Sequence, residues 1–366
     1  MQTLQLHKEL PDLFRFDNGG FVRNQEDWRR RRSEIADSIV RIEYGGLPPI
    51  PAATRAEELH RSIARYYLNA RYSQYRISIE ESSWFGFRLD LLVPEGVGPF
   101  PVVLTGDACW RYLTDEITLE ILKRGYILAQ FSRVEIVPDT SHFARDTGLY
   151  RVYPQCDYGA ISAWAWGYHR CVDALQTWPE VDASRIAVVG HSRGGKTTLL
   201  AGATDERIAL TVANGSGCGG AGCFRWQGPE SETLERIVTT FPHWFSPGLA
   251  SYSGKEETLP FDQHSLQALI APRALLSTVA LEDLWANPTG TWQTYVAARE
   301  VYRFLGAEKN LGFKSRRGEH PMTVADWMVF LEFIDFHFIA KPLFSPFDVN
   351  PFPDLAPCQS WRAPAG

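Results

Sequence analysis

The sequence predicts one α/β unit, a mostly parallel central sheet with helices on both faces. Three observations point to it. From Asp157 onward, strand-like and helix-like segments alternate regularly, the pattern that folds into a parallel sheet with covered faces. A serine motif lies at one strand-to-helix junction, where this architecture places a nucleophile. The composition also leaves room for a large core, with 366 residues, of which 45% are hydrophobic.

The elements follow in order. Residues 25–44 (QEDWRRRRSEIADSIVRIEY) read as an amphipathic helix. Its basic run, Arg29–Arg32, has acidic neighbours and fits a solvated face better than a nucleic-acid contact. GGLPPIPAAT ends the helix, and residues 1–75 are expected to form a helical N-terminal extension. RISIEES and FGFRLDLLVP alternate in the manner of antiparallel strands. FPVVLTG and GYILAQF read as buried strands, with helix-like TLEILKR between them. The polar and aromatic stretch 132–156 is expected to be an ordered lid or pocket rim, because loops of that length are usually functional.

Beyond it come helix DYGAISAWAWGYHRCVDALQTW, strand RIAVVG, helix GGKTTLLAGAT and strand IALTVAN. An insertion occupies 217–259. Helix HSLQALI, strand ALLSTVA, helix TWQTYVAAREVYRFLG, strand LGFKSRR and helix TVADWMVFLEFIDFHF complete the pattern. Residues 342–366 form a Pro-rich tail that is expected to pack on the surface. With no repeat, low-complexity tract or linker, residues 1–366 read as one domain.

Composition narrows the function classes. A formal net charge of -6 gives no reason to expect nucleic acid as partner. No run reaches membrane-spanning length, and MQTLQLHKELPDLF holds no apolar leader. The chain as it stands reads as cytoplasmic, or as exported if a leader has been removed. The six cysteines form no CxxC pair, so free thiols are expected, with Cys218–Cys223 as the alternative pairing. No metal or cofactor is implied. Twelve tryptophans fill either the core or a sugar or aryl pocket.

Gly190-His191-Ser192-Arg193-Gly194 is a G-x-S-x-G motif between strand RIAVVG and helix GGKTTLLAGAT. That context marks a nucleophile elbow, in which a strained turn lifts the serine above the sheet. A serine hydroxyl needs a base. In the chain order of α/β-hydrolases, the base follows the last strand and the acid follows the strand before it. His320, in SRRGEHPMTVADW, occupies the first place. The acid is expected to be Asp283, three residues after ALLSTVA, with Glu282 as its rival. Among the other histidines, His191 is expected to pack, His264 and His337 lie within helical patterns, and His7, His60 and His169 come too early. His142 and His243 could line a pocket. Arg193, next to the nucleophile, adds positive potential where an oxyanion forms. The backbone N–H of Arg193 and one from the Gly106–Cys109 loop would complete the oxyanion hole.

GHSRGGKTTLLAGATDERIALTVANGSGCGG, with DYGAISAWAWG before it and LPFDQHSLQALIAPRALL after it, closely resembles the glucuronoyl esterases, carbohydrate esterase family 15. The likeness covers roughly Pro101 to Phe338. It implies an α/β-hydrolase fold and cleavage of esters of (4-O-methyl-)glucuronic acid, with a glucuronate-containing ester or oligosaccharide as partner. It further implies Ser192 as nucleophile, His320 as base, Arg193 at the oxyanion, Lys196 on sugar hydroxyls and Trp285 lining the sugar site. One departure stands out. Fungal members carry their acid directly before the Ser-Gly-x-Gly-Gly stretch, where this chain has Gly215; some bacterial members carry an acidic pair before Trp, as here. Two other readings remain: a carbohydrate deacetylase on the same scaffold, and a non-catalytic sugar-binding relative.

Overall fold

The computed structural model describes residues 9–142 and 145–364. His7, the first eight residues of the chain and Phe143 and Ala144 of the long loop lie outside the described residues. Among the described residues, nine strands form one sheet, β1 (Thr54–Ala64), β2 (Ala70–Ile79), β3 (Ser82–Val93), β4 (Phe100–Thr105), β5 (Ile127–Phe131), β6 (Val181–His191), β7 (Leu210–Asn214), β8 (Ala274–Ala280) and β9 (Leu311–Arg316). Their spatial order is β1-β2-β3-β5-β4-β6-β7-β8-β9. β1, β2 and β3 form an antiparallel meander that joins β5 antiparallel, and from β5 to β9 every pairing is parallel.

Alternation along the strands divides the core into two layers. Val102, Leu104, Ile127 and Ala129 face one cluster, completed by α1 (Gln25–Ile42), α4 (Ala160–Leu175), α5 (Arg193–Thr204), α7 (Gln263–Ala268) and α8 (Pro288–Phe304). Val103, Leu128, Val189 and Leu276 face the other, covered by α2 (Asp115–Lys123) and α9 (Val324–Ile339). The tryptophans divide accordingly. Trp28, Trp164, Trp166, Trp244, Trp292 and Trp327 are buried, whereas Trp84, Trp110 and Trp285 are exposed.

The expected helical extension over 1–75 is corrected. The helix ends at Ile42, and residues 54–64 and 70–79 are strands. TRAEELHRSIA is rich in good helix formers and exposed along nearly its whole length, so no buried stripe marks it as a strand. Pairing from Thr54↔Ile79 to Ala64↔Ala70 overrides that propensity. The loop after β5 carries a 3-10 turn (Arg133–Glu135) and α3 (Gly148–Val152), and the insertion carries α6 (Leu234–Thr240). The tail runs along β9, where Phe313 N–H donates to Phe347 O at 2.6 Å, and returns to the N-terminal segment, where Leu10 N–H donates to Cys358 O at 3.2 Å. Among the described residues, no helix is long and apolar enough to cross a membrane.

Candidate active site

Ser192 stands between β6 and α5 with φ 56° and ψ -122°, a left-handed conformation that costs energy for a non-glycine residue. Its N–H donates to Asn214 O at 2.8 Å, which ties the turn to β7. The flanking glycines are steric necessities. A Cβ on Gly190 would lie 2.3 Å from Gly194 O, and one on Gly194 would lie 2.3 Å from Asp107 Oδ1.

His320 reaches the serine from the loop between β9 and α9. That loop is pinned at both ends. Thr323 and Asp326 form a capping box at the start of α9. The Arg316 guanidinium donates to Asp326 Oδ1 at 2.7 Å and to Pro321 O at 2.8 Å. His320 Nε2 is 3.0 Å from Ser192 Oγ, and Nδ1 is 2.6 Å from Asp283 Oδ2. A neutral ring protonated on Nδ1 donates to the carboxylate and accepts from the hydroxyl. Asp283 is buried directly after β8, while Glu282 is exposed and meets the loop through its N–H to Gly318 O at 3.1 Å. The structure therefore brings Asp283, and not Glu282, to the imidazole. Gly215 also lies against that ring: a Cβ there would be 3.6 Å from His320 Cε1.

His191 packs, as its position suggested. It is buried, its Nδ1 is 2.5 Å from Asn214 Oδ1, and its ring lies 4.7 Å from that of His320. Burial first, and the neighbouring His320 second, push its pKa down to about 4. Behind the elbow, the buried Asp107 carboxylate accepts His191 N–H at 2.9 Å and pairs with the Arg133 guanidinium. Arg133 N–H donates to Gly106 O at 3.0 Å, so both contacts hold the Gly106–Cys109 loop.

Arg193 is clamped. Its guanidinium donates to Asp139 Oδ2 at 2.8 Å and sits 5.3 Å from the Trp110 ring, 5.5 Å from Phe241 and 4.7 Å from Trp244. His243 Nε2 (3.0 Å) and Trp244 Nε1 (2.8 Å) meet the other oxygen of Asp139. His243 thus lies at the site, while His142 is exposed. Lys196 is only 4% exposed, which rules out a solvated helix residue. Its ammonium donates to Ser216 O at 2.6 Å and Cys218 O at 2.5 Å. These carbonyls compensate a cation in the first helical turn, and burial lowers its pKa.

Trp285 is 38% exposed, with the Arg236 guanidinium 4.3 Å from its ring. Its carbonyl accepts Glu232 N–H at 3.0 Å. Glu232 escaped sequence reasoning, because PESETLER carries no motif. Its carboxyl is buried with Oε1 unbonded. Burial raises its pKa, against the pull of Lys196, Arg236 and Arg193. A buried carboxyl oxygen without a partner is able to accept a hydrogen bond from a hydroxyl. All six cysteines are free, Cys218 and Cys223 included. Among the described residues, no three His, Cys, Asp or Glu side chains gather as metal ligands.

Comparison with known proteins places this geometry in context. A family model described as "Glucuronyl esterase, fungi" matches residues 77–306. Carbohydrate esterase MZ0003, from an unknown prokaryotic organism, is 39% identical over 239 residues, covering 59% of this chain and 54% of its own. The 4-O-methyl-glucuronoyl methylesterase of Podospora anserina is 33% identical over 320 residues, covering 85% of this chain and 63% of its own. The chain thus spans less than two thirds of the length of both curated relatives. Among solved structures, a carbohydrate esterase family 15 glucuronoyl esterase from Caldicellulosiruptor kristjansonii superposes with TM-score 0.85 at 29% identity, covering 99% of this chain and 98% of that one.

Proposed function

Because the chain belongs to the glucuronoyl esterase family, we propose that it hydrolyses carboxylic esters of glucuronic acid and its 4-O-methyl ether through an acyl-enzyme on Ser192. The observation that carries the reading is the position of His320, 3.0 Å from the serine oxygen and 2.6 Å from the Asp283 carboxylate. Ser192 Oγ attacks the ester carbonyl while His320 Nε2 takes its proton. Asp283 fixes the tautomer and stabilises the imidazolium. His320 then gives the proton to the departing alcohol, and the same ring activates the water that releases the acid.

The tetrahedral oxyanion is received by the backbone N–H of Arg193 and one from the Gly106–Cys109 loop, with the Arg193 side chain adding charge. One such donor is worth about 2.7–4 kcal/mol of barrier. The uronate sits on the acyl side, where Lys196, Glu232 and Trp285 supply a cation, an acceptor and an aromatic face. This polar wall favours a sugar acid as the acyl group over a small acetyl group, which would leave Glu232 and Lys196 without hydroxyl partners.

Initial rates on methyl glucuronate and on an acetylated sugar test the choice. Faster turnover of the acetylated sugar would turn the reading into a deacetylase. Ser192→Ala should remove activity on both with an unchanged thermal midpoint. A fluorophosphonate that leaves Ser192 unlabelled in the parent would favour a non-catalytic sugar binder.

A further inference from the structure

We propose that Asp139 holds Arg193 in place and balances its charge, so that the site takes in a neutral uronate ester and still releases the uronate anion it makes. The inference rests on the reading that Arg193 faces the acyl carbon.

The reaction itself poses the problem. An ester and water become a carboxylate, an alcohol and a proton. The charge at the acyl carbon changes from zero in the substrate to minus one in the product. Two cations, Arg193 and Lys196, belong to the same five-residue stretch as the nucleophile. Uncompensated, they would hold the product far more tightly than the substrate, because Coulomb attraction strengthens as water is excluded. A site built only to stabilise the oxyanion would then be inhibited by its own product.

The structure supplies a counter-charge where it is needed. Asp139 lies 2.8 Å from Arg193, with its side chain only 8% exposed. Its two oxygens are fully engaged, one by Arg193 and the other by His243 Nε2 and Trp244 Nε1. Burial alone would raise its pKa, but the bonds from His243, Trp244 and Arg193, with the charge of Arg193, bring it well below the ordinary carboxylate range. The network joins three distant segments: the loop after β5, which carries Asp139, the insertion and the first residue of α5. The ion pair occupies one amino group of Arg193, so the rest of the guanidinium is left to meet the substrate. The rings of Trp110, Phe241 and Trp244 restrict its swing. The carboxylate therefore fixes both the direction and the net charge of this cation.

The test compares the parent, Asp139→Asn, Arg193→Ala and the double variant. It measures kcat and KM on methyl glucuronate, and competitive inhibition by free glucuronate at pH 7. Asp139→Asn should tighten glucuronate binding by about tenfold. The KM for the neutral ester should move less than about threefold, and kcat should fall. In the Arg193→Ala background the effect on glucuronate should vanish. A merely structural role for Asp139 would weaken both ligands or act equally in both backgrounds, and either result overturns the proposal. So does an unchanged inhibition constant in Asp139→Asn. If Arg193→Ala alone alters neither kcat nor glucuronate binding, the reading of Arg193 fails, an outcome visible without touching Asp139. Should Asp139→Asn not fold, Asp139→Glu decides. It keeps the charge and moves it by one methylene, so it should keep the parent's inhibition constant while lowering kcat; tighter glucuronate binding there would overturn the proposal.

Discussion

Asp283 Oδ2 lies 2.6 Å from His320 Nδ1, while the backbone of Gly215 faces another edge of the same ring. One imidazole is thus reachable from the ends of two neighbouring strands, β7 and β8, and this chain holds it from β8. Asp283→Asn should lower kcat by several orders of magnitude, since comparable substitutions in serine hydrolase triads cost about 10⁴. Glu282→Gln should leave kcat within about twofold, as an exposed carboxylate outside the network is expected to do. Steady-state kinetics on methyl glucuronate decide it, and the opposite ranking would move the acid to Glu282.

Lys196→Met should affect folding and turnover together. It leaves the buried carbonyls of Ser216 and Cys218 without their donor, at a cost of about 1–3 kcal/mol, so the thermal midpoint should drop by several degrees. Turnover of a glucuronate ester should fall about tenfold more than that of a small acetyl ester. Equal losses on both substrates would leave Lys196 as a strut for the glycine-rich loop alone.

Trp285→Ala should act on binding. The ring is half open to solvent and backed by Arg236, as befits a flat apolar face for a sugar. Truncation should raise KM for the glucuronate ester by about tenfold, with kcat within about twofold. A fall in kcat at constant KM would place the ring in the transition state instead.

Glu43 carries a pH signature outside the triad, within electrostatic reach of Lys196. It is fully buried, with both carboxyl oxygens accepting from Gln263 Nε2 at 3.1 and 2.9 Å. Burial pushes its pKa up to about 8 from an ordinary 4.5. Below 4.5 both folded and unfolded states hold the proton, and nothing is lost. Between 4.5 and about 8 the unfolded chain binds fewer protons than the folded one, so stability declines as pH rises. Glutamine has no such proton to lose. The midpoint of Glu43→Gln minus that of the parent should therefore be more positive at pH 8 than at pH 5. A difference that stays flat would mean that Glu43 ionises freely in the folded protein.

The sheet from β4 onward was legible because its strands are apolar runs bounded by turn residues, each followed by a helical pattern. β1 was not, because exposed Glu and Arg on an edge strand carry no periodic signal. Ser192 and His320 follow from motif and chain order, but choosing between Glu282 and Asp283 needed three dimensions: only the second turns inward after β8. Asp139 and Glu232 escaped for a shared reason. Each is a loop carboxylate whose partners lie far away in the chain, so spacing alone says nothing of them. The resemblance makes Lys196 a sugar ligand and says nothing of its carbonyl partners, although the Gly-rich stretch Gly215–Gly220 signals backbone that few side chains cover.

The two margins of the sheet are defended unequally. At β9 the tail lies along the strand, bonded at Phe313 and anchored by Lys314 to Ser345 Oγ at 2.6 Å. At β1 no chain covers the edge among the described residues; charged Arg55, Glu57, Glu58 and Arg61, with a bulge at Leu59, discourage another strand from docking. Cutting the chain before residue 342 would strip β9 of its cover and leave an unguarded parallel edge. Such a shortened protein should associate edge to edge and drift toward fibrils, which makes the tail a guard against polymerisation as much as a piece of the fold.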